Sequence, residues 1–136
     1  MYKNPALTVD GIIETEKGIV LIERKNEPYK GGLALPGGFV DYGETVENAL
    51  VREMKEEISI DVRIRCLLGV YSDPGRDPRG HTVSVVYIAS PAESVSNIKA
   101  ADDAANVVFT ENPLSFRLAF DHEHIIRDYL KRQWCV

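Results

Sequence analysis

Cysteine is scarce in this chain: 136 residues contain two, Cys66 and Cys135. Two thiols do not make the disulfide framework of a small secreted scaffold, so a cytoplasmic protein with ordinary, non-catalytic thiols is expected. Any apolar run long enough to span a bilayer is missing. Met1-Tyr2-Lys3-Asn4-Pro5 leads straight into a strand-like pattern without the basic and apolar regions of a signal peptide. No membrane partner is therefore expected. Positive charge is in deficit, with 16 Lys and Arg against 21 Asp and Glu and a net charge of −5. This argues against nucleic acid held on a broad basic surface; an anionic ligand must be held locally, by a metal and a few arginines. Repeats, low-complexity tracts and linkers are also lacking, and 44% hydrophobic content is enough for one core, so residues 1–136 read as one domain.

The most informative run that is present is Arg52-Glu53-Met54-Lys55-Glu56-Glu57, where Arg52 stands fourteen residues after Gly38 and eight after Glu44. On a helix, at about 100° per residue, the apolar stripe Val46, Ala49, Leu50 continues onto Glu53 and Glu57, with Glu56 one step to the side. A carboxylate directed toward a core is very unfavourable unless it is paired or bound to a cation, so the position of these charges calls for a metal. Oxygen-only ligands suit Mg²⁺ or Mn²⁺, which keep part of their water shell and bridge to substrate phosphates. Arg52 would tie down a neighbouring carboxylate through a bidentate contact. Taken alone, the same run also describes a solvated helix face with charge pairs three and four apart.

Around it the chain alternates between strand and turn signals. Leu7, Val9, Gly11 and Ile13 alternate with Thr8, Asp10 and Glu14, and residues 18–24 follow after a polar turn, which predicts a β-hairpin. Residues 33–36 form a short extended piece, after which Gly37-Gly38 permits a tight turn into the loop before the helix, with Thr45 as N-cap. Residues 62–71, 82–89 and 106–109 read as three more strands. A last helix is capped by Asp121 and carries the face His122, Ile125, Ile126, Tyr129. Strands surrounding two helices imply an α/β or α+β domain. Phe116, Phe120 and Tyr129 are expected in the core, His81 in a loop hydrogen bond, and Trp134 packed on the body or on a second subunit.

A second run, Tyr71 to Thr82, holds two prolines, two glycines and the arginines Arg76 and Arg79 in a stiff loop that loses little entropy on binding. Arg76 and Arg79 suit a phosphate or ribose, and equally suit pairing with Asp73 and Asp77 at the surface.

The fixed residues Gly37-Gly38, Glu44, Arg52-Glu53, Glu56-Glu57 and apolar Ile60, at these separations, closely resemble the signature of the Nudix hydrolases over residues 38–60. The resemblance implies an α/β/α sandwich around a central mixed sheet, with the first helix in a loop-helix-loop. It also implies hydrolysis of a nucleoside diphosphate linked to another group. Carried over by position, Glu53, Glu56 and Glu57 become metal ligands, with one of them doubling as the base, and a main-chain carbonyl at Gly37 or Gly38 completes the shell. Glu44 and Arg52 orient those ligands. Ser59 stands where the family has glycine, which puts the local turn in question. In many family members the base lies on a late loop, where Glu111 is the first candidate and Glu93, Asp102 and Asp103 follow. The proline beyond the signature resembles the mark of ADP-ribose pyrophosphatases, which makes ADP-ribose, split to AMP and ribose 5-phosphate, the expected substrate. Hydrolysis of oxidised nucleoside triphosphates and a non-catalytic nucleotide-sensing role are the alternatives, and the resemblance leaves a homodimer open.

Overall fold

The computed structural model describes residues 3–101 and 104–132. Strand β1, Ala6–Thr15, is fully buried at Val9, Ile12 and Ile13. It turns through a hairpin into antiparallel β2, Gly18–Arg24, pairing Glu14 with Ile19 and Thr15 with Gly18. Gly18 has φ 102°, and a Cβ there would lie 2.2 Å from the Thr110 carbonyl oxygen, so no other residue fits the turn. Beyond the hairpin the two strands diverge. Strand β2 pairs with β3, Leu33–Ala34, and with β7, Ala104–Thr110. Residues Thr8, Val9 and Asp10 of β1 pair with β4, Gly37–Phe39, and β1 from Ala6 to Ile13 runs parallel to β6, Thr82–Pro91, which is flanked by β5, Val62–Tyr71. The order β3-β2-β1-β6-β5 is therefore a mixed sheet.

The period-2 pattern of the central strands divides their apolar side chains between two layers. Val9, Ile13, Val20 and Ile22 pack with Ala49, Leu50, Met54 and Ile58 of helix α1, Val46–Ile58. Ile12, Ile19 and Leu21 pack with Ile125 and Ile126 of helix α2, His122–Lys131. The expected α/β/α sandwich results. No helix among the described residues is long and apolar enough to cross a membrane.

Several local features differ from the sequence reading. Gly37-Gly38 belongs to β4 and pairs with Asp10 and Val9 instead of turning the chain. Here glycine is needed for close approach, since a Cβ on Gly37 would lie 2.2 Å from the Val9 carbonyl oxygen. Thr45 does cap α1, accepting from the Asn48 N–H, and Ser59 ends it in the left-handed conformation with φ 64°, a modest strain that a glycine would avoid. Asp121 stands at the N-cap of α2 but makes no capping hydrogen bond, because its carboxylate turns to Arg76. Cys66 is disulfide-bonded, which corrects the expectation of ordinary thiols. Cys135, Trp134, Asp102 and Asp103 lie outside the described residues.

Candidate functional site

A cleft of about 340 Å³ opens where β1, β4 and α1 meet the loop between β5 and β6. On one side of β4, α1 brings Glu53 so close that a Cβ on Gly38 would sit 2.4 Å from its carboxylate. Glu53 and Glu57 both line the cleft, and Glu57 is 8% exposed. Burial pushes the Glu53 carboxyl up, against the opposing pull of Arg52. This carboxylate is short of water, the condition in which a cation binds strongly.

Arg52 organises the acidic cluster. Its Nε and one terminal nitrogen donate to both oxygens of Glu44, at 2.7 and 2.9 Å, while the other terminal nitrogen donates to Glu53 at 2.9 Å and to Glu56 at 3.1 Å. A further bond reaches the Phe39 carbonyl, which ties α1 to the end of β4. Glu44 also accepts from the Asp41 N–H, and with the Arg52 hydrogen bonds this holds its carboxyl at about 2. The Glu44 hydrogen bonds in turn push the Arg52 guanidinium up. Glu56 is half exposed, bonded to Arg52, and outside the lining of the cleft.

Across β4 the floor is polar and buried. Asp10, Arg76, Asp77, Thr82, Ser84 and His122 are each at most 8% exposed. Three of the five Arg76 donors are taken: Nε and one terminal nitrogen by the carboxylate of Asp121, at 3.0 and 2.8 Å, and the other terminal nitrogen by Thr82 Oγ1 at 2.8 Å. His122 Nδ1 accepts from the Leu35 N–H at 3.0 Å, which leaves the ring proton on Nε2. Complete burial pushes its pKa down, so the folded protein holds the ring neutral. With the folded value below the unfolded one of about 6.5, this contribution to stability is complete above that pH and is lost as the pH falls below it. Thermal melts between pH 7.5 and 5 should show the wild type losing stability more steeply than His122→Asn, whose side-chain carbonyl keeps an acceptor for Leu35. Parallel curves would contradict the neutral assignment.

Arg79 stands at the mouth. Asp77 receives its Nε and a terminal nitrogen, the latter at 2.8 Å, and the guanidinium lies 5.3 Å from the Phe39 ring centroid and 5.6 Å from that of Phe120. The hydrogen bonds to Asp77 push the Arg79 pKa up; burial pushes Asp77 up, but Arg79 outweighs it and holds that carboxyl down. Phe120 was expected in the core. It is only partly buried, has φ 54°, and lines the cleft, with Tyr29 packed edge-on at 4.9 Å. Phe116 is 36% exposed, whereas Tyr129 packs against the core layer of Ile125 and Ile126 while donating to Glu14, and His81 bonds the Ser72 carbonyl as a loop histidine should.

Glu111 and Glu93 are outside the cleft lining; Glu93 is occupied with the Asp61 N–H and Asn97. The acids that do reach it from beyond α1 are Asp10, Glu27, Asp41 and Asp77. Asp10 was legible only as one polar residue in an alternating strand, and nothing in that alternation marks a residue whose face is covered by a second helix.

Comparison with known proteins agrees with this geometry. The NUDIX domain matches residues 4–129. An ADP-ribose pyrophosphatase of Methanocaldococcus jannaschii is 53% identical over 131 residues, 96% of this chain and 76% of that protein. A bifunctional NMN adenylyltransferase/ADP ribose pyrophosphatase of Francisella tularensis, solved with AMP and a Mn ion, is 33% identical with a TM-score of 0.83, over 96% of this chain and 42% of that one. The NUDIX domain of Shewanella oneidensis NrtR, solved with ADP ribose, is 27% identical with a TM-score of 0.81, over 98% and 91% of the two chains. Matched along nearly its whole described length, and with the paired glycines, Glu53 and Glu57 lining one cleft beside the Arg52–Glu44 pair, the chain belongs to the NUDIX domain family.

Proposed function

We propose that this chain hydrolyses the diphosphate linkage of ADP-ribose, giving AMP and ribose 5-phosphate, with Mg²⁺ or Mn²⁺. The observation that carries the reading is the Glu53 carboxylate, desolvated and packed against Gly38, where a Cβ would displace it. The 53% identity to an ADP-ribose pyrophosphatase supports the choice of substrate.

The residues present fit a hard divalent cation. Glu53 and Glu57 offer oxygen only, the backbone at Gly37 and Gly38 is bare of side chains, and Glu56 lies outside the lining, bonded to Arg52. Among the described residues no three His, Cys, Asp or Glu side chains converge into a ready-made cage. That suits an ion held by one or two carboxylates together with water and substrate phosphate. When bound, the cation neutralises diphosphate oxygens and acidifies the attacking water. Water adds to one phosphorus and the anhydride P–O bond breaks, leaving two phosphomonoesters. The chain supplies the positioning. Arg52 fixes the rotamers of Glu53 and Glu56 and is itself fixed by Glu44, so the ligands are preorganised before substrate arrives. Arg79 presents a planar cation at the mouth to phosphate or ribose, and Arg76 adds charge from within the wall.

The test is a turnover screen over ADP-ribose, NADH, nucleotide sugars and oxidised dGTP, each with and without chelator. Selective, metal-dependent cleavage of ADP-ribose is expected. Preference for oxidised dGTP would remove the substrate assignment and keep the chemistry, and binding of ADP-ribose without turnover would favour a sensing module.

A further inference from the structure

One acidic side chain in the cleft is outside the Arg52 network and has no part in the reaction described above. Asp10 is 8% exposed and lines the floor. Its Oδ2 accepts a 2.5 Å hydrogen bond from Ser84 Oγ, on the neighbouring strand and wholly buried. Its Oδ1 receives none from the described residues: His122 Nε2 stands 3.9 Å away, beyond hydrogen-bonding reach. The glycine at position 37 keeps that oxygen uncovered, since a Cβ there would lie 2.3 Å from it.

The register separates Asp10 from the proposed metal ligands. Asp10 pairs with Gly37 and Thr8 with Phe39, so these four residues share one face of the β1–β4 ribbon, whereas Gly38 faces Glu53 on the other. Asp10 thus faces the part of a ligand that extends away from the diphosphate. No buried side-chain polar atom among the described residues lacks a hydrogen-bond partner, so Oδ1 is open to the cleft, and a ligand that covers it must offer a donor in place of water. On a nucleoside diphosphate derivative, whose phosphates are acceptors only, the donors are neutral ones: ribose hydroxyls and a base amino group.

We propose that Asp10 is a specificity-determining residue whose Oδ1 accepts a hydrogen bond from such a neutral donor, a ribose hydroxyl or the exocyclic amino group of the base. The inference rests on reading the cleft as the site of a nucleoside diphosphate derivative. A site built to hydrogen-bond a substrate group discriminates strongly against the analogue lacking it, because the buried acceptor is then left unpaired.

Asp10→Asn tests this. The asparagine carbonyl can keep Ser84 satisfied while the amide nitrogen replaces the acceptor facing the cleft. Its kcat/KM on ADP-ribose should fall by about 10- to 100-fold, with the melting temperature and the Mn²⁺ affinity in the absence of substrate unchanged. Repeating the assay with the 2′-deoxy, terminal-ribose 2-deoxy and inosine counterparts of ADP-ribose identifies the donor. The analogue lacking it should be a poor substrate for the wild type and should suffer no further loss in the variant. An equal loss on every substrate, a loss of Mn²⁺ affinity, or no loss at all would overturn the proposal. If the wild type does not turn over ADP-ribose, the functional reading fails separately, and calorimetric binding of AMP and of ribose 5-phosphate to both proteins decides on Asp10. Unchanged affinity for both compounds overturns it, and a loss confined to one supports it.

Discussion

Glu57→Gln should lower ADP-ribose turnover more than about a hundredfold while the protein stays folded. Partners that merely orient metal ligands are worth about 10- to 100-fold, so a carboxylate that itself holds the cation must exceed that range. Glu57 is more buried than Glu53 or Glu56 and lines the cleft, and glutamine preserves its volume while removing the charge that a cation needs. Glu53→Gln should behave alike. Glu56→Gln should cost less, because Glu56 is half exposed, outside the cleft lining and already bonded to Arg52. Steady-state rates at saturating Mg²⁺, with circular dichroism to verify folding, check the series. Equal losses at all three positions would contradict the ranking, and an active Glu57→Gln would remove the metal assignment.

Arg76→Met is the second large effect, and it falls mainly on stability. The Arg76 guanidinium is 4% exposed and bridges Asp121 at the start of α2 to Thr82 at the start of β6. Removing one member of a buried pair costs about 3–5 kcal/mol. Asp121, once released, can turn back to cap its own helix, which offsets about 1 kcal/mol. The net loss of roughly 2–4 kcal/mol corresponds to a fall in melting temperature on the order of 10 °C. Arg79→Lys should do the reverse. Its side chain is 44% exposed, and lysine keeps the charge beside Asp77 while losing the flat fork, so KM should rise with little change in melting temperature. Calorimetric melts and KM values for the two variants separate these roles. A stable Arg76→Met with a raised KM would show that Arg76 contacts substrate directly.

These two arginines also show where sequence reasoning runs out. They share one stiff loop and one chemistry, and nothing local distinguishes the residue that bonds across 45 positions to Asp121 from the one that pairs two positions back with Asp77. The α1 site was legible because charge interrupts an apolar stripe, a conflict that only a pairing or a cation resolves. The hairpin, the two helices and β5 were legible for a related reason: period and turn residues are local signals. Strand β4 was not, because three residues beginning with two glycines carry no period, and their role depends on Val9 and Glu53 approaching from other elements. Phe120 likewise looks like core material, and its place at the cleft mouth follows from a left-handed backbone that an aromatic residue rarely adopts.

The central claim is tested most directly by resolving the products of ADP-ribose incubated with Mg²⁺ and the wild-type protein or Glu57→Gln, with and without chelator. Equimolar AMP and ribose 5-phosphate from the wild type alone, abolished by chelation, is the predicted result. Turnover that survives chelation, or that Glu57→Gln leaves intact, would contradict it.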